Sequence, residues 1–247
     1  MAAVPSPGTA GNDTIVQAAG NETIYGDPFD LVPLTSGHGG NDILTATGGS
    51  NFLFGDANEM GGTGRGGNDS LSSTGGGDRL YGDAFSMFDG ARGGNDILIG
   101  VEGVYELYGD ASGISGTGRG GNDVLSITGS VGSLLYGDAF TVIENARGGN
   151  DVLSVTGDAN VLAGDAGVAQ AIFEYDSVTA TFSLSFPLGV DGGKSGDARG
   201  GNDRLETIGN DNKLIGDGAA WPAERLAATT VWAPRATAMP SSATRFI

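Results

Sequence analysis

One phrase recurs seven times along this chain: Gly-Asn-Asp-x-(Leu/Ile), with its acid at Asp13, Asp42, Asp69, Asp96, Asp123, Asp151 and Asp203. A second phrase, Gly-Asp, follows each copy, with its acid at Asp27, Asp56, Asp83, Asp110, Asp138, Asp165 and Asp217. Six of the seven pairs lie 14 residues apart, and Asp123/Asp138 lie 15 apart. From Asp42 to Asp123 the full period is 27 residues at every step. A fixed period of this length predicts a stacked solenoid, because one such unit buries its apolar face only against its neighbours. Every coil also delivers its acids to the same place, so the repeat governs the chemistry as well.

The apolar residues set the frame. Leu44/Leu53, Leu71/Leu80, Leu98/Leu107, Leu153/Leu162 and Leu205/Leu214 are each nine apart, as are Ile15/Ile24, whereas Leu125/Leu135 are ten apart. In one coil GRGGNDSLS (64–72) and STGGGDRLY (73–81) share this frame, and GDAFSMFDG (82–90) does not. The spacing predicts two short strands per coil, each pointing a Leu inward, with glycine turns between them. Stacked coils would pair these strands in parallel, about 4.8 Å apart. The third stretch, following Gly-Asp-Ala, reads as a long loop along one flank.

Composition makes that fold conditional. Glycine supplies 47 of 247 residues, aromatics are 7%, and the formal charge is −18. Such a chain has little apolar surface to offset its conformational entropy, so the acids must be neutralised before it folds. Stacked carboxylates about 4.8 Å apart repel by roughly 3.5 kcal/mol per pair at an effective dielectric near 20, and by nearer 1 in water. A basic column at His38, Arg65, Arg92, Arg119, Arg147 and Arg199 supplies at most one positive charge per coil against two acids. We expect each Arg to pair with a Gly-Asp carboxylate and order the loop; a basic stripe is the alternative. The remaining negative charge suits a hard divalent cation with about 6–8 oxygen ligands, hence Ca2+ rather than octahedral Mg2+. The competing reading is that Asn-Asp and Gly-Asp merely shape turns.

GRGGNDSLS and its relatives resemble the calcium-binding nonapeptide of the RTX (repeats-in-toxin, hemolysin-type) family, over roughly residues 9–218. That resemblance implies an all-β, right-handed parallel β-roll or β-solenoid, here of about seven to eight 27-residue coils. It also implies calcium in the turns, held by Asp carboxylates and glycine carbonyls, and secretion from a bacterium. The seven Asn-Asp acids are the first choice of ligand and the Gly-Asp column the second; Asp78 belongs to the second nonapeptide. That second flank mostly lacks the acid, carrying Glu22, Asn51, Asp78, Tyr105, Ser133, Asn160 and Asn212. Calcium there is in doubt, above all near Tyr105 and Ser133.

The remaining segments are an N-terminal tail (1–8), a degenerate coil or insertion (166–199), and a C-terminal tail (219–247) that could be a cap, an export segment or disordered. Phe182, Leu184 and Phe186 alternate with Ser inside the second of these, a strand signal. No apolar run approaches the ~18 residues a membrane span needs, and no Sec-type leader is visible. An acidic chain is a poor partner for nucleic acid. With one His, at an Arg position, no H-E-x-x-H or Ser/His/Asp reading stands. Gly193-Lys194-Ser195 lacks the upstream Gly of a phosphate loop. The acids recur at every coil, whereas a catalytic pair is unique, so the sequence reads as non-enzymatic. Together with the RTX resemblance, which implies secretion, it points to calcium binding coupled to folding, with an extracellular or cell-surface partner. The alternative is a metal-independent structural or adhesive solenoid.

Overall fold

The computed structural model describes residues 8–18, 20–28, 33–166, 172–176, 181–185, 193–194 and 198–216. Most of the N-terminal tail and the 219–247 tail lie outside these residues. The fold is an all-β parallel β-solenoid, and the described residues include no helix.

Two sheets follow from the nine-residue spacing. The first stacks Thr14–Ala18, Ile43–Thr47, Ser70–Gly76, Ile97–Gly103, Val124–Val131, Val152–Asp158 and Arg204–Ile208 in that order. The second stacks Thr23–Tyr25, Phe52–Phe54, Arg79–Tyr81, Glu106–Tyr108, Leu134–Tyr136, Val161–Ala163 and Lys213–Ile215. Equivalent residues sit in register, Leu44 beside Leu71 beside Leu98, and Leu53 beside Leu80 beside Leu107. These leucines face each other as one fully buried core. Burial of each contributes about 1.5–3 kcal/mol. The extra residue of the Leu125/Leu135 coil is absorbed as an irregularity in the ladder between Thr128 and Ser130.

The stretch expected as a long loop is a third strand. Ala57–Met60, Ala84–Met87, Ala111–Ile114 and Ala139–Val142 pair in parallel, joined by Gly193–Lys194. With this sheet, about five turns are three-sided. Each of the four full strands buries its Ala and the apolar residue three places later, Met60, Met87, Ile114 or Val142, in a second core closed by Ala91 and Ala146. Strict registration also stacks Tyr25, Phe54, Tyr81, Tyr108 and Tyr136, with ring centroids 4.9, 4.7, 4.7 and 5.1 Å apart. Each aromatic pair is worth about 0.5–1.5 kcal/mol beyond its burial.

Within the 166–199 segment, Ile172–Asp176 and Thr181–Ser185 pair antiparallel. Val152–Thr156 pair directly with Arg204–Ile208, so no strand of that segment enters the first sheet. Ala166 bridges Ala139, and Gly193–Lys194 continue beside Thr141–Val142. Ala166 and Gly193–Lys194 thus both lie along the third-sheet strand Ala139–Val142.

Candidate metal sites

The turns bring the two acid columns together inside the solenoid. Asp27, Asp56, Asp83, Asp110, Asp138 and Asp165 of the Gly-Asp column are fully buried. So are Asp42, Asp69, Asp96, Asp123 and Asp151 of the Asn-Asp column, with Asp203 nearly so and Asp13 half-buried at the end. In sequence each Gly-Asp from Asp56 to Asp165 stands between an inward Leu of the second sheet and a buried Ala, as Leu80, Asp83 and Ala84 do. Asp217 lies outside the described residues.

The preceding Asn points the other way. Asn41, Asn68, Asn95, Asn122, Asn150 and Asn202 are exposed, and their amide oxygens and main-chain N–H groups form a ladder along the turn. Within Asn-Asp, then, the amide ties coil to coil on the outside and the carboxylate turns in.

From Asp42 to Asp151, each Asn-Asp carboxylate is half satisfied. Its Oδ1 accepts the main-chain N–H of the equivalent Asp in the preceding coil: Asp42 N–H to Asp69 at 2.6 Å, Asp69 to Asp96 at 2.6 Å, Asp96 to Asp123 at 2.7 Å, Asp123 to Asp151 at 2.8 Å. The Oδ2 atoms of Asp42, Asp69, Asp96, Asp123 and Asp151 are buried and accept no hydrogen bond. The Gly-Asp carboxylates accept a turn N–H, Asp110 from Gly121 at 2.8 Å and Asp138 from Gly149 at 2.7 Å. Oδ2 of both Asp110 and Asp138 is left over. Along that column Asp56 meets Asp83 and Asp83 meets Asp110. Ionised, neither member of such a pair has a proton to donate.

The spare oxygens converge on glycine backbone. A methyl group on Gly109 would lie 1.6 Å from the carbonyl oxygen of Gly137 and 2.3 Å from Oδ2 of Asp123. The same cradle recurs at Gly55, with the Gly82 carbonyl at 1.8 Å and Asp69 Oδ2 at 2.1 Å, and at Gly82, with the Gly109 carbonyl at 1.7 Å and Asp96 Oδ2 at 2.3 Å. Only glycine fits there. Asp110, Asp123 and Asp138 can each offer an oxygen within 4.8 Å of the others.

Electrostatics alone would empty these sites of charge. Burial, reinforced by neighbouring carboxylates, pushes Asp69 up to about 9 from an ordinary 3.8. Burial raises Asp83 to about 6, and burial with repulsion from Asp27 and Asp13 raises Asp42 to about 6. Asp56, Asp96, Asp110, Asp123, Asp138 and Asp151 rise well above the carboxylate range, burial being the largest cause in each. Leaving one buried acceptor unsatisfied costs about 1–3 kcal/mol, and more when it is charged. A proton or a cation must sit among these oxygens. The donor set is all oxygen, carboxylate with carbonyl, and a hard divalent cation fits it.

The second flank is built differently. Asp78 accepts from Asn51 N–H at 2.6 Å and Asn51 Nδ2 at 2.9 Å on Oδ1, and from Ser73 Oγ at 2.6 Å on Oδ2. It stands apart from both columns with each oxygen satisfied. Ser133 Oγ accepts from Tyr105 N–H, and Asn160 Oδ1 from Ser133 N–H. Tyr105 is fully buried, with its ring over Gly100 and its hydroxyl donating to Val101 O at 2.6 Å. Hydrogen bonds from main-chain, amide and hydroxyl donors close this side.

The arginines do not meet the Gly-Asp acids. Arg65, Arg92, Arg119 and Arg147 bridge one another through their backbones, and their side chains are exposed. No ion pair joins them to Asp56, Asp83, Asp110 or Asp138, which are buried and bound to glycine N–H instead. The expected pairing fails because the glycine after each Arg wedges against those carboxylates: a methyl on Gly120 would lie 1.8 Å from Asp138 Oδ1 and 2.5 Å from Asp110 Oδ2. The column is a basic stripe of like charges, repelling by about 1 kcal/mol per neighbouring pair in water.

Comparison with protein-family models, curated proteins and solved structures yields no match. None of the described residues forms a helix long and apolar enough to cross a membrane.

Proposed function

We propose that the protein is a calcium-binding solenoid of RTX type, secreted from a bacterium, whose folding is coupled to calcium. On this reading it winds right-handed through seven to eight coils and binds rather than catalyses. One observation carries the proposal. Asp96, Asp123 and Asp151 each bury a carboxylate oxygen that accepts nothing, and each such oxygen lies against a glycine cradle shared with a neighbouring coil's carbonyl. The sites would be the Asn-Asp and Gly-Asp columns; Asp78 is not needed for them. Without an ion, repulsion and desolvation keep the chain expanded. With one, each ion ties adjacent coils, and binding free energy becomes folding free energy. Extracellular calcium modules work at dissociation constants of about 10⁻⁴–10⁻³ M. A calcium titration followed by calorimetry and circular dichroism tests it: heat, stoichiometry and β-structure should appear together. A chain fully ordered in excess chelator at neutral pH, taking up no calcium, would refute the proposal.

The metal-independent structural solenoid draws on the second flank, where Asp78, Asn51, Ser133 and Asn160 are satisfied without a cation. It leaves the buried oxygens of the first flank unexplained.

A further inference from the structure

The arginine stripe stands directly outside the acid columns. Arg119 precedes Gly120, which lies against Asp110 and Asp138, and the same order repeats at Arg65, Arg92 and Arg147. Each of these side chains is exposed, flanked in sequence by Gly or Ala before it and Gly after it, and in no ion pair among the described residues. Three residues further on, the exposed asparagine ladder runs parallel to the stripe. The face is therefore a straight track of guanidinium and amide donors, advancing one strand spacing per coil.

Its sign depends on the metal. The two acid columns and the stripe contribute two carboxylates and one guanidinium per coil, a net of −1, and the exposed Asp89 and Glu144, three residues before Arg92 and Arg147, each add one negative charge. One divalent ion per coil adds 2, and the net becomes +1, or 0 where Asp89 or Glu144 is counted. We propose that calcium loading turns this flank into a binding track for a linear acidic polysaccharide, its carboxylate or sulfate groups paired with the arginines and its hydroxyls with the asparagines. This rests on the calcium reading given above.

The track favours a glycan over other polyanions on two grounds. A linear acidic polysaccharide carries its charges at regular intervals along an extended chain, as the track carries one arginine per ~4.8 Å strand step. Single-stranded nucleic acid is held largely by stacking of bases on aromatic rings, and this track presents arginine, glycine and asparagine. Arginine forks match the two oxygens of a carboxylate or sulfate.

The test uses the full chain in calcium at about 5 mM, above the ~10⁻³ M end of the range for extracellular modules, and again in chelator. Binding is read by fluorescence anisotropy with labelled dextran sulfate and a uronate oligosaccharide, beside neutral dextran and poly(dT). Calcium uptake and circular dichroism are recorded separately without glycan. We expect both acidic glycans to bind in calcium, to release with added salt, and to bind at least ~10-fold more weakly to the triple variant Arg92→Gln, Arg119→Gln, Arg147→Gln. That variant should take up calcium and fold as the parent does. Calcium uptake without glycan binding overturns this inference and leaves the calcium reading intact. Equal binding by the triple variant, equal binding in chelator, or poly(dT) binding as tightly also overturns it. Absence of calcium uptake overturns both.

Discussion

The main-chain N–H of Asp96 donates to Oδ1 of Asp123 at 2.7 Å, one coil further along, while Oδ2 of Asp123 lies buried and accepts nothing. One oxygen holds the stack together and the other is held in reserve. The two functions can be separated by substitution.

Asp123→Asn keeps an Oδ1 acceptor for Asp96 and removes the charge. We expect the calcium-dependent folding midpoint to rise about tenfold, roughly 1.4 kcal/mol, with one fewer ion in the calorimetric stoichiometry. Asp78→Asn, on the satisfied second flank, keeps the Oδ1 acceptor for Asn51, should leave the stoichiometry unchanged, and should cost about 1 kcal/mol through the altered Ser73 hydrogen bond. Identical calcium isotherms for Asp123→Asn and the parent would remove Asp123 from the ligand set.

Gly109→Ala places a methyl 1.6 Å from the Gly137 carbonyl oxygen. The Gly137 backbone and the buried Asp123 carboxylate leave it nowhere to go, so we expect a loss of about 3 kcal/mol or more even in saturating calcium. Chemical denaturation monitored by circular dichroism measures it. Gly132→Ala makes a useful contrast: its site is open, so only its left-handed backbone (φ 80°) opposes the change.

Acid should substitute for metal. The folded chain without an ion holds protons on Asp42 and Asp83 up to about pH 6 and on Asp69 up to about 9, above the ordinary 3.8. The folded state then binds more protons than the unfolded one, and stability falls as pH rises. This contribution is fully present below pH 3.8 and is lost on climbing through 6 and then 9. In chelator, β-structure by circular dichroism should be greater at acid pH than at neutral pH; a flat profile would contradict the buried acid columns.

Met87→Ala tests the third sheet. Met87 is buried against the alanines of neighbouring coils, so its truncation should cost about 2–5 kcal/mol by denaturant titration. A residue in a solvated loop would change stability by less than ~0.5 kcal/mol.

Much of this was legible in the residues. The Leu44/Leu53 spacing placed two sheets, and the insertion at Leu125/Leu135 marked the coil that carries the irregular ladder. Asp42 through Asp151 were picked out by recurrence alone. The third strand was missed because Ala84 and Met87 are three apart, and the inward member at each strand start is only an alanine, too small to read as core. The arginines misled because their charge invited a partner, whereas Gly66 and Gly120 occupy the space a salt bridge would need. The stacking of Tyr81 on Tyr108 was visible as recurrence and went unused, since tyrosine before Gly-Asp carries no turn signal of its own.

Each cradle is divided between two coils: Gly109 comes from one, and Asp123 with Gly137 from the next. Interior boundaries therefore number one fewer than the coils that make them. A solitary repeat cut from the array would own half of two cradles and the whole of none. On the proposed calcium reading, shortening this chain would cost it ion sites faster than in proportion to its length.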